Sequence, residues 1–318
     1  MTIESEDEMF SNIRGQVAMV TGASRGLGRV YAEKLARLGA RVVLMARSLQ
    51  DLYQVADGIR AEGGEAMCVQ ADVTDRRSVA RAFDRLDAQY GHIDLLINNA
   101  GNLGATGALW EVNADEWWNT VVLHLLGGFH GLHEALRRMV PRGRGRIINL
   151  VSHAGAYRWP KVSAYSVAKA AMIKLTENVA VEARQHGVMV FAFHPGLVQG
   201  VGLAHAEIRA DRAQADEEVR ESLRDVREWF ASQMGSSRAV TVDRGADTLA
   251  RLASGHYDFL SGRYVTVYDD LADLSDKAEQ IRKSDAMTMR ILPLLEVAEL
   301  SIPPVSRRPA FDMLGVPV

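Results

Sequence analysis

Seven near-continuous apolar runs mark the first 268 residues: Val17–Thr21, Arg41–Met45, Ala66–Gln70, Asp94–Asn98, Arg146–Val151, Met189–His194 and Gly262–Tyr268. Between them, apolar positions recur at helical spacing. Runs of this kind are strands covered on both faces. Their alternation with helices predicts an α/β fold, a Rossmann-like doubly wound parallel sheet forming a single domain over residues 14–270. Ligands of such sheets lie beyond the carboxyl ends of the strands, so the residues that end each run are the ones to search for chemistry.

Two segments depart from this rhythm. Residues 203–238 form a charged insertion in which Val219, Leu223, Val226, Phe230 and Met234 recur at helical spacing, giving one apolar face. A helix packed on the surface and a lid over the substrate explain that face equally well. Residues 271–318 form a C-terminal extension with one amphipathic stretch around Leu274–Leu295. Pro303, Pro304, Pro309 and Pro317 then rule out a continued helix, so this extension is expected to wrap a surface or a neighbouring subunit. Residues 1–13 are an acidic tail.

Composition narrows the classes. With 318 residues, 47% of them hydrophobic, the chain can bury a large core, and a formal net charge of −3 offers no basic surface to nucleic acid or anionic lipid. The acidic start Met1–Glu8 lacks the basic and apolar regions of a secretory signal. Residues 188–206 carry no charged side chain, but Pro195, Gly196, Gln199, Gly200 and Gly202 break them into a strand and a loop rather than a membrane span. The single cysteine, Cys68, lies in an apolar run and reads as a buried small hydrophobe, so no disulfide framework exists. A cytoplasmic location fits.

Chemistry concentrates at the run ends. After the first run, Thr21-Gly22-Ala23-Ser24-Arg25-Gly26-Leu27-Gly28 places three glycines where a backbone must turn tightly and approach a pyrophosphate resting on a helix N-terminus. After the second run, where NAD enzymes hold the ribose hydroxyls with a carboxylate, the chain has Ala46 and Arg47, and Arg25 sits in the glycine loop itself. Two arginines can clamp a 2′-phosphate, which favours NADP(H) over NAD. Ser152 ends the fifth run. Thirteen residues on, Tyr165 and Lys169 stand four apart at a helix start, so their side chains share a face and the ammonium can lower the phenol's pKa from about 10. Tyr165 then becomes a usable general acid or base.

These elements, with Asn98-Asn99-Ala100-Gly101 and Pro195-Gly196, occur in an order and spacing that resemble the short-chain dehydrogenase/reductase family over about residues 14–268. The glycine loop matches that family's Thr-Gly-x-x-x-Gly-x-Gly. The resemblance implies that Gly22, Ser24, Arg25, Gly26, Leu27 and Gly28 cradle the cofactor and that Asp72 and Val73 hold its adenine. Asn99, Ala100 and Gly101 would line its ribose; Pro195, Gly196 and Val198 would border the nicotinamide. It further implies a ketone reductase or alcohol dehydrogenase in which hydride passes to or from carbon while Tyr165 protonates the carbonyl oxygen, Ser152 hydrogen-bonds that oxygen and Lys169 also grips the nicotinamide ribose. The helices at about 114–140 and 163–187 would pair with their copies in a homodimer or homotetramer.

Two positions depart from the family. His124 stands where most members have Asn, whose backbone holds a water linking the lysine to solvent. A histidine there can hold a water or relay a proton, as in a hydroxyacyl-CoA-oxidising branch, with an imidazole titrating near about 6.5; alternatively it fills space in a long helix. Gly200 replaces the usual Thr that anchors the carboxamide. His130 and His133 follow on the His124 helix without a ligand set, so no metal is expected and they read as surface or subunit-contact residues. Trp110, Trp117, Trp118, Tyr157, Trp159 and Trp229 lie near segments that border the family's pocket and suit a bulky apolar ketone or alcohol, although aromatics also serve cores and interfaces. Two other classes share the site: an epimerase or dehydratase without net redox change, and an NADP-binding regulatory protein.

Overall fold

The computed structural model describes residues 6–201 and 239–290, together with positions 228, 232 and 236. After a short helix α1 (Glu6–Phe10), the chain alternates through β1 (Val17–Thr21), α2 (Gly26–Arg37), β2 (Arg41–Ala46), α3 (Leu49–Ala61), β3 (Glu65–Gln70), α4 (Arg76–Tyr90) and β4 (Leu95–Asn98). It continues through α5 (Ala114–Val121), a π turn at Val122–Leu126, α6 (Gly127–Arg142), β5 (Gly145–Leu150), α7 (His153–Ala156), α8 (Ser163–Arg184) and β6 (Val188–His194). A clip of β7 (Leu197–Val198) with β8 (Ala239–Val240) precedes α9 (Val242–Ser254) and β9 (Tyr264–Thr266).

The seven main strands form one parallel sheet in the order β3-β2-β1-β4-β5-β6-β9. Alternate residues of β1 enter different cores: Ala18 and Val20 join the layer with Leu35, Leu52 and Leu249, whereas Val17 and Met19 join the layer with Phe83, Leu86 and Leu132. Both faces of the sheet are therefore apolar, which is why its strands read as unbroken runs. The order reverses between β1 and β4, and the crevice at their carboxyl ends is the ligand edge of a doubly wound sheet. Cys68 is buried in β3. Among the described residues no helix is long and apolar enough to cross a membrane.

The long helix expected at 114–140 is present but not uniform. It carries the π turn at its middle, and its last turn accepts Pro141. The amphipathic stretch expected at 274–295 is, in its described part, two short helices, α10 (Leu271–Asp276) and α11 (Ala278–Arg282). The break at Lys277 lets Ile281 reach the core while the following residues lie along β9. The Tyr264 N–H donates to the Met287 carbonyl at 2.8 Å and the Thr266 N–H to the Asp269 carboxylate at 2.6 Å. The Arg263 guanidinium donates to the carbonyls of Ile281, Ser284 and Ala286, and Glu177 of α8 accepts from Arg290. The chain itself thus occupies the side of β9 away from β6, and up to residue 290 the extension wraps its own domain. Apart from three positions, the insertion at 203–238 lies outside the described residues, as do Trp229 and residues 291–318.

Candidate active site

At the end of β1 the chain turns through Gly22 (φ +67°) and Gly26 (φ +58°) into α2. A Cβ on Gly22 would lie 2.8 Å from Ala100 Cα, and one on Gly28 2.3 Å from the Gly22 carbonyl oxygen. The turn, α2 and the Ala100 segment pack this closely only because these side chains are missing. No side chain caps the first turn of α2, which leaves its N–H groups as donors at the end of β1, the arrangement a phosphate needs. Thr21 holds the floor: its hydroxyl accepts from the Asn99 and Ala100 N–H groups at 3.0 Å each. The Asn99 side-chain amide donates to the Thr21 carbonyl at 2.9 Å and so fastens the loop.

Asp72 accepts from the Thr74 N–H and hydroxyl at 2.9 and 2.8 Å, which orders the turn after β3. The neighbouring Val73 carbonyl accepts from His130 Nδ1 at 2.8 Å. His130 is thereby buried, correcting its reading as a surface or subunit-contact residue; only its place one helical turn and a half beyond His124 hinted at this. His133, on the outer face, is half-buried and stacks on Phe129. Arg25 and Arg47 are exposed at the carboxyl ends of the neighbouring strands β1 and β2.

Ser152 follows β5 and caps α7, accepting the Ala154 N–H at 3.2 Å. Tyr165 and Lys169 share one face of α8, with the Lys169 ammonium nitrogen 5.5 Å from the Tyr165 ring centre and donating to the Leu150 carbonyl at 2.6 Å. Burial draws the Lys169 pKa down from 10.5 to about 7. What brings Ser152 to this face is Gly155, which no sequence signal marked. A Cβ there would lie 2.6 Å from the Lys169 carbonyl carbon and 2.7 Å from the Ala170 nitrogen. Gly155→Ala is expected to push α7 off α8, costing about 1–3 kcal/mol of stability by overpacking. A melting curve and a turnover measurement should both fall; an unchanged pair would show that the two helices are not held by this contact.

His124 lies in the π turn, buried, its ring edge-on to Tyr165 at 5.1 Å between centres. Nε2 lies 2.7 Å from the Asn102 carbonyl and so carries the proton, leaving Nδ1 an acceptor with no hydrogen-bond partner among the described residues. Burial, then the Lys169 charge, hold its pKa well below 6.5. That direction, away from the expected titration near about 6.5, favours the neutral imidazole. Beside it, His124, Lys169, Leu150, Gly127, Gly128 and Met172 enclose a small cavity with room for about one water.

Around Tyr165 the wall is apolar: Leu103, Ala154, Val162, Trp159 and Leu197 pack with it. Of the other aromatics, Trp117 donates to the Ser163 hydroxyl at 2.9 Å, while Trp110, Trp118 and Tyr157 are largely exposed. Behind Ser152 lies a group the sequence reading did not single out. His153 Nδ1 is 2.7 Å from the Tyr264 hydroxyl, its ring centre is 4.0 Å from that of His194, and it stacks parallel to Tyr268 at 5.9 Å. Among the described residues no group of three or more His, Cys, Asp or Glu is placed to hold a metal ion.

A glycine turn at a helix N-terminus and a serine, tyrosine and lysine lie on one sheet edge, and the family model for short chain dehydrogenases matches residues 16–212. The chain belongs to the short-chain dehydrogenase/reductase family. It is 31% identical over 287 residues to the short chain dehydrogenase mpl6 of Monascus purpureus, covering 87% of this chain and 89% of the relative. Gluconate 5-dehydrogenase of Gluconobacter oxydans is 31% identical over 263 residues, with 83% and 96% covered. Among solved structures, NAD+-bound xylitol dehydrogenase superposes with a TM-score of 0.69 at 26% identity, covering 80% of this chain and 98% of that one. Membership of this oxidoreductase family fits the parallel seven-stranded sheet and its ligand edge.

Proposed function

We propose that the protein reduces a ketone with NADPH, or oxidises the corresponding secondary alcohol with NADP+. The observation that carries this is the joint presence of the tight glycine turn leading into the uncapped N-terminus of α2 and the buried Tyr165–Lys169 face on the same edge. Gly22, Ser24, Gly26, Leu27 and Gly28 offer backbone to the pyrophosphate, Arg25 and Arg47 face the 2′-phosphate, and Asp72 and Val73 border the adenine. Ala100 and Gly101 lie toward the ribose; Pro195, Gly196 and Val198 lie beside the nicotinamide. When bound, the nicotinamide supplies or accepts the hydride. Ser152 donates a hydrogen bond to the carbonyl oxygen, and Tyr165 gives that oxygen its proton. The Lys169 ammonium stabilises the tyrosinate left behind and returns a proton to it.

His124 completes the route. With Nε2–H fixed on Asn102, its Nδ1 accepts, and a water in the adjoining cavity would link it to Lys169. His124→Ala is expected to lower turnover per bound cofactor while sparing NADPH affinity, and His124→Asn to retain most activity. Equal turnover of His124→Ala and wild type across pH would make His124 packing alone.

Trp159 and Leu197, partly exposed beside Tyr165, favour a bulky apolar ketone. Trp118, Phe129 and Val167 leave apolar side chains exposed on α5, α6 and α8, which supports pairing of these helices in a homodimer. The deciding experiment is a panel of ketones with NADPH: one NADPH oxidised per ketone reduced supports the reading. Product formed without NADPH consumption would indicate epimerisation or dehydration instead, and binding without turnover on any ketone would indicate a regulatory role.

A further inference from the structure

β6 ends at His194, and the chain turns through Pro195 and Gly196 into β7. Gly196 has φ +82°, and a Cβ on it would lie 2.6 Å from Val267 Cγ1, 3.0 Å from Val240 Cγ2 and 3.1 Å from the Tyr268 hydroxyl. The turn is thus wedged against the end of β9. The next residue fixes it: the Leu197 N–H donates to the Tyr268 hydroxyl at 3.2 Å. Two residues on, the Gln199 N–H donates to the Val240 carbonyl at 3.0 Å, part of the β7–β8 clip. The Leu197 side chain meanwhile packs with Tyr165, Ala154 and Leu103.

Tyr268 reaches the other half of the site as well. Its ring lies parallel to that of His153, 5° off and 5.9 Å between centres, and His153 directly follows Ser152. One side chain therefore holds the turn after β6 through its hydroxyl and the serine turn through its ring face. Position 200 provides no alternative. Gly200 has φ +74° and, among the described residues, nothing within 4 Å of a built Cβ, so a β-branched Thr there would be strained without a described protein partner for its hydroxyl.

We propose that Tyr268 is a positioning residue, setting the turn at Pro195–Val198 against Tyr165 and Ser152 so that the nicotinamide ring is held at the reacting carbon. This rests on the reading that the turn borders the nicotinamide. Removing the hydroxyl leaves the ring packed on His153 and the Leu197 N–H without its acceptor. The loop then loosens where a displacement of about 1 Å costs about 10²-fold in rate.

The test compares wild type with Tyr268→Phe by calorimetric titration of NADPH and of 2′-phospho-ADP-ribose, which lacks the nicotinamide, together with turnover per bound cofactor and a melting curve. Tyr268→Phe is expected to weaken NADPH about 3- to 10-fold, leave 2′-phospho-ADP-ribose unchanged, lower turnover about 10-fold or more, and melt near wild type. Adding Gly200→Thr should restore none of these. Equal weakening of both ligands, no weakening of either, or rescue by Gly200→Thr overturns the role of Tyr268 and leaves the cofactor reading standing. A wild type that binds neither NADPH nor NADH overturns that reading, and the role of Tyr268 falls with it.

Discussion

Tyr165→Phe is expected to bind NADPH nearly as well as wild type and to transfer hydride at least about 10²-fold more slowly. Phenylalanine keeps the ring that packs on His124, Leu103 and Val162 and removes only the transferable proton. Lys169→Ala should damage both binding and turnover, because the same nitrogen serves ribose and tyrosinate. The pH profile assigns the charge. Burial draws the Lys169 pKa to about 7, so in kcat/KM for ketone reduction, which reports the free enzyme, activity is full below that value and falls as pH rises through it and the ammonium is lost. Stability has the opposite trend: the unfolded lysine binds its proton up to about 10.5 but the folded one only below about 7, so this group adds stability as pH rises between the two. Stopped-flow NADPH oxidation at single turnover and the pH dependence of kcat/KM test both parts. A Tyr165→Phe enzyme working at the wild-type rate would refute the mechanism.

The second large effect concerns the choice between two cofactors that differ by one phosphate. Arg47→Asp is expected to weaken NADPH about 10- to 100-fold while changing NADH little, the range of a charge-assisted phosphate contact of about 1.5–3 kcal/mol. Since Arg47 is exposed at the end of β2, water competes for it and the lower end is the expectation at physiological salt. Titrating both cofactors into both proteins decides, and equal affinity of the wild type for NADPH and NADH would sink the assignment. The comparison matters because one structural neighbour holds NAD+.

The sheet was legible in the sequence to within two residues at each strand end because its strands are covered on both faces, so the runs are apolar at most positions and little phase has to be guessed. Ser152, Tyr165, Lys169 and the glycine loop were legible because their chemistry depends on short spacings that one helix or one turn fixes. Contacts between elements distant in the chain were hidden. Gly155 reads as a loop glycine until α7 is laid on the Lys169 backbone, and His130 reads as a surface helix residue until the Val73 carbonyl, in the turn after β3, accepts its ring N–H. Tyr268 meets Leu197 and His153 only after the sheet has brought the ends of β5, β6 and β9 together. The direction in which the His124 pKa moves is set by burial and by Lys169, neither of which a spacing records.

The π turn at Val122–Leu126 gives the rod from Ala114 to Arg142 two faces that no single helical count relates. Before it, Thr120 accepts the Ala105 N–H at 3.0 Å and sits where Gly104 leaves room. After it, Gly127 faces Val73, Gly128 faces Met172 and Gly131 faces Asn98. A π turn carries one residue more than the α-helical turn it replaces, and each residue in a helix accounts for about 100° of rotation. Deleting any one residue of Val122–Leu126 would leave the rod unbroken yet swing its first half about 100° around its second. The loop at Gly104 and the turn at Val73 would then no longer both find their partners. The extra residue acts as a phase shifter between the loop at Gly104 and the turn at Val73, and His124 sits on the point of adjustment.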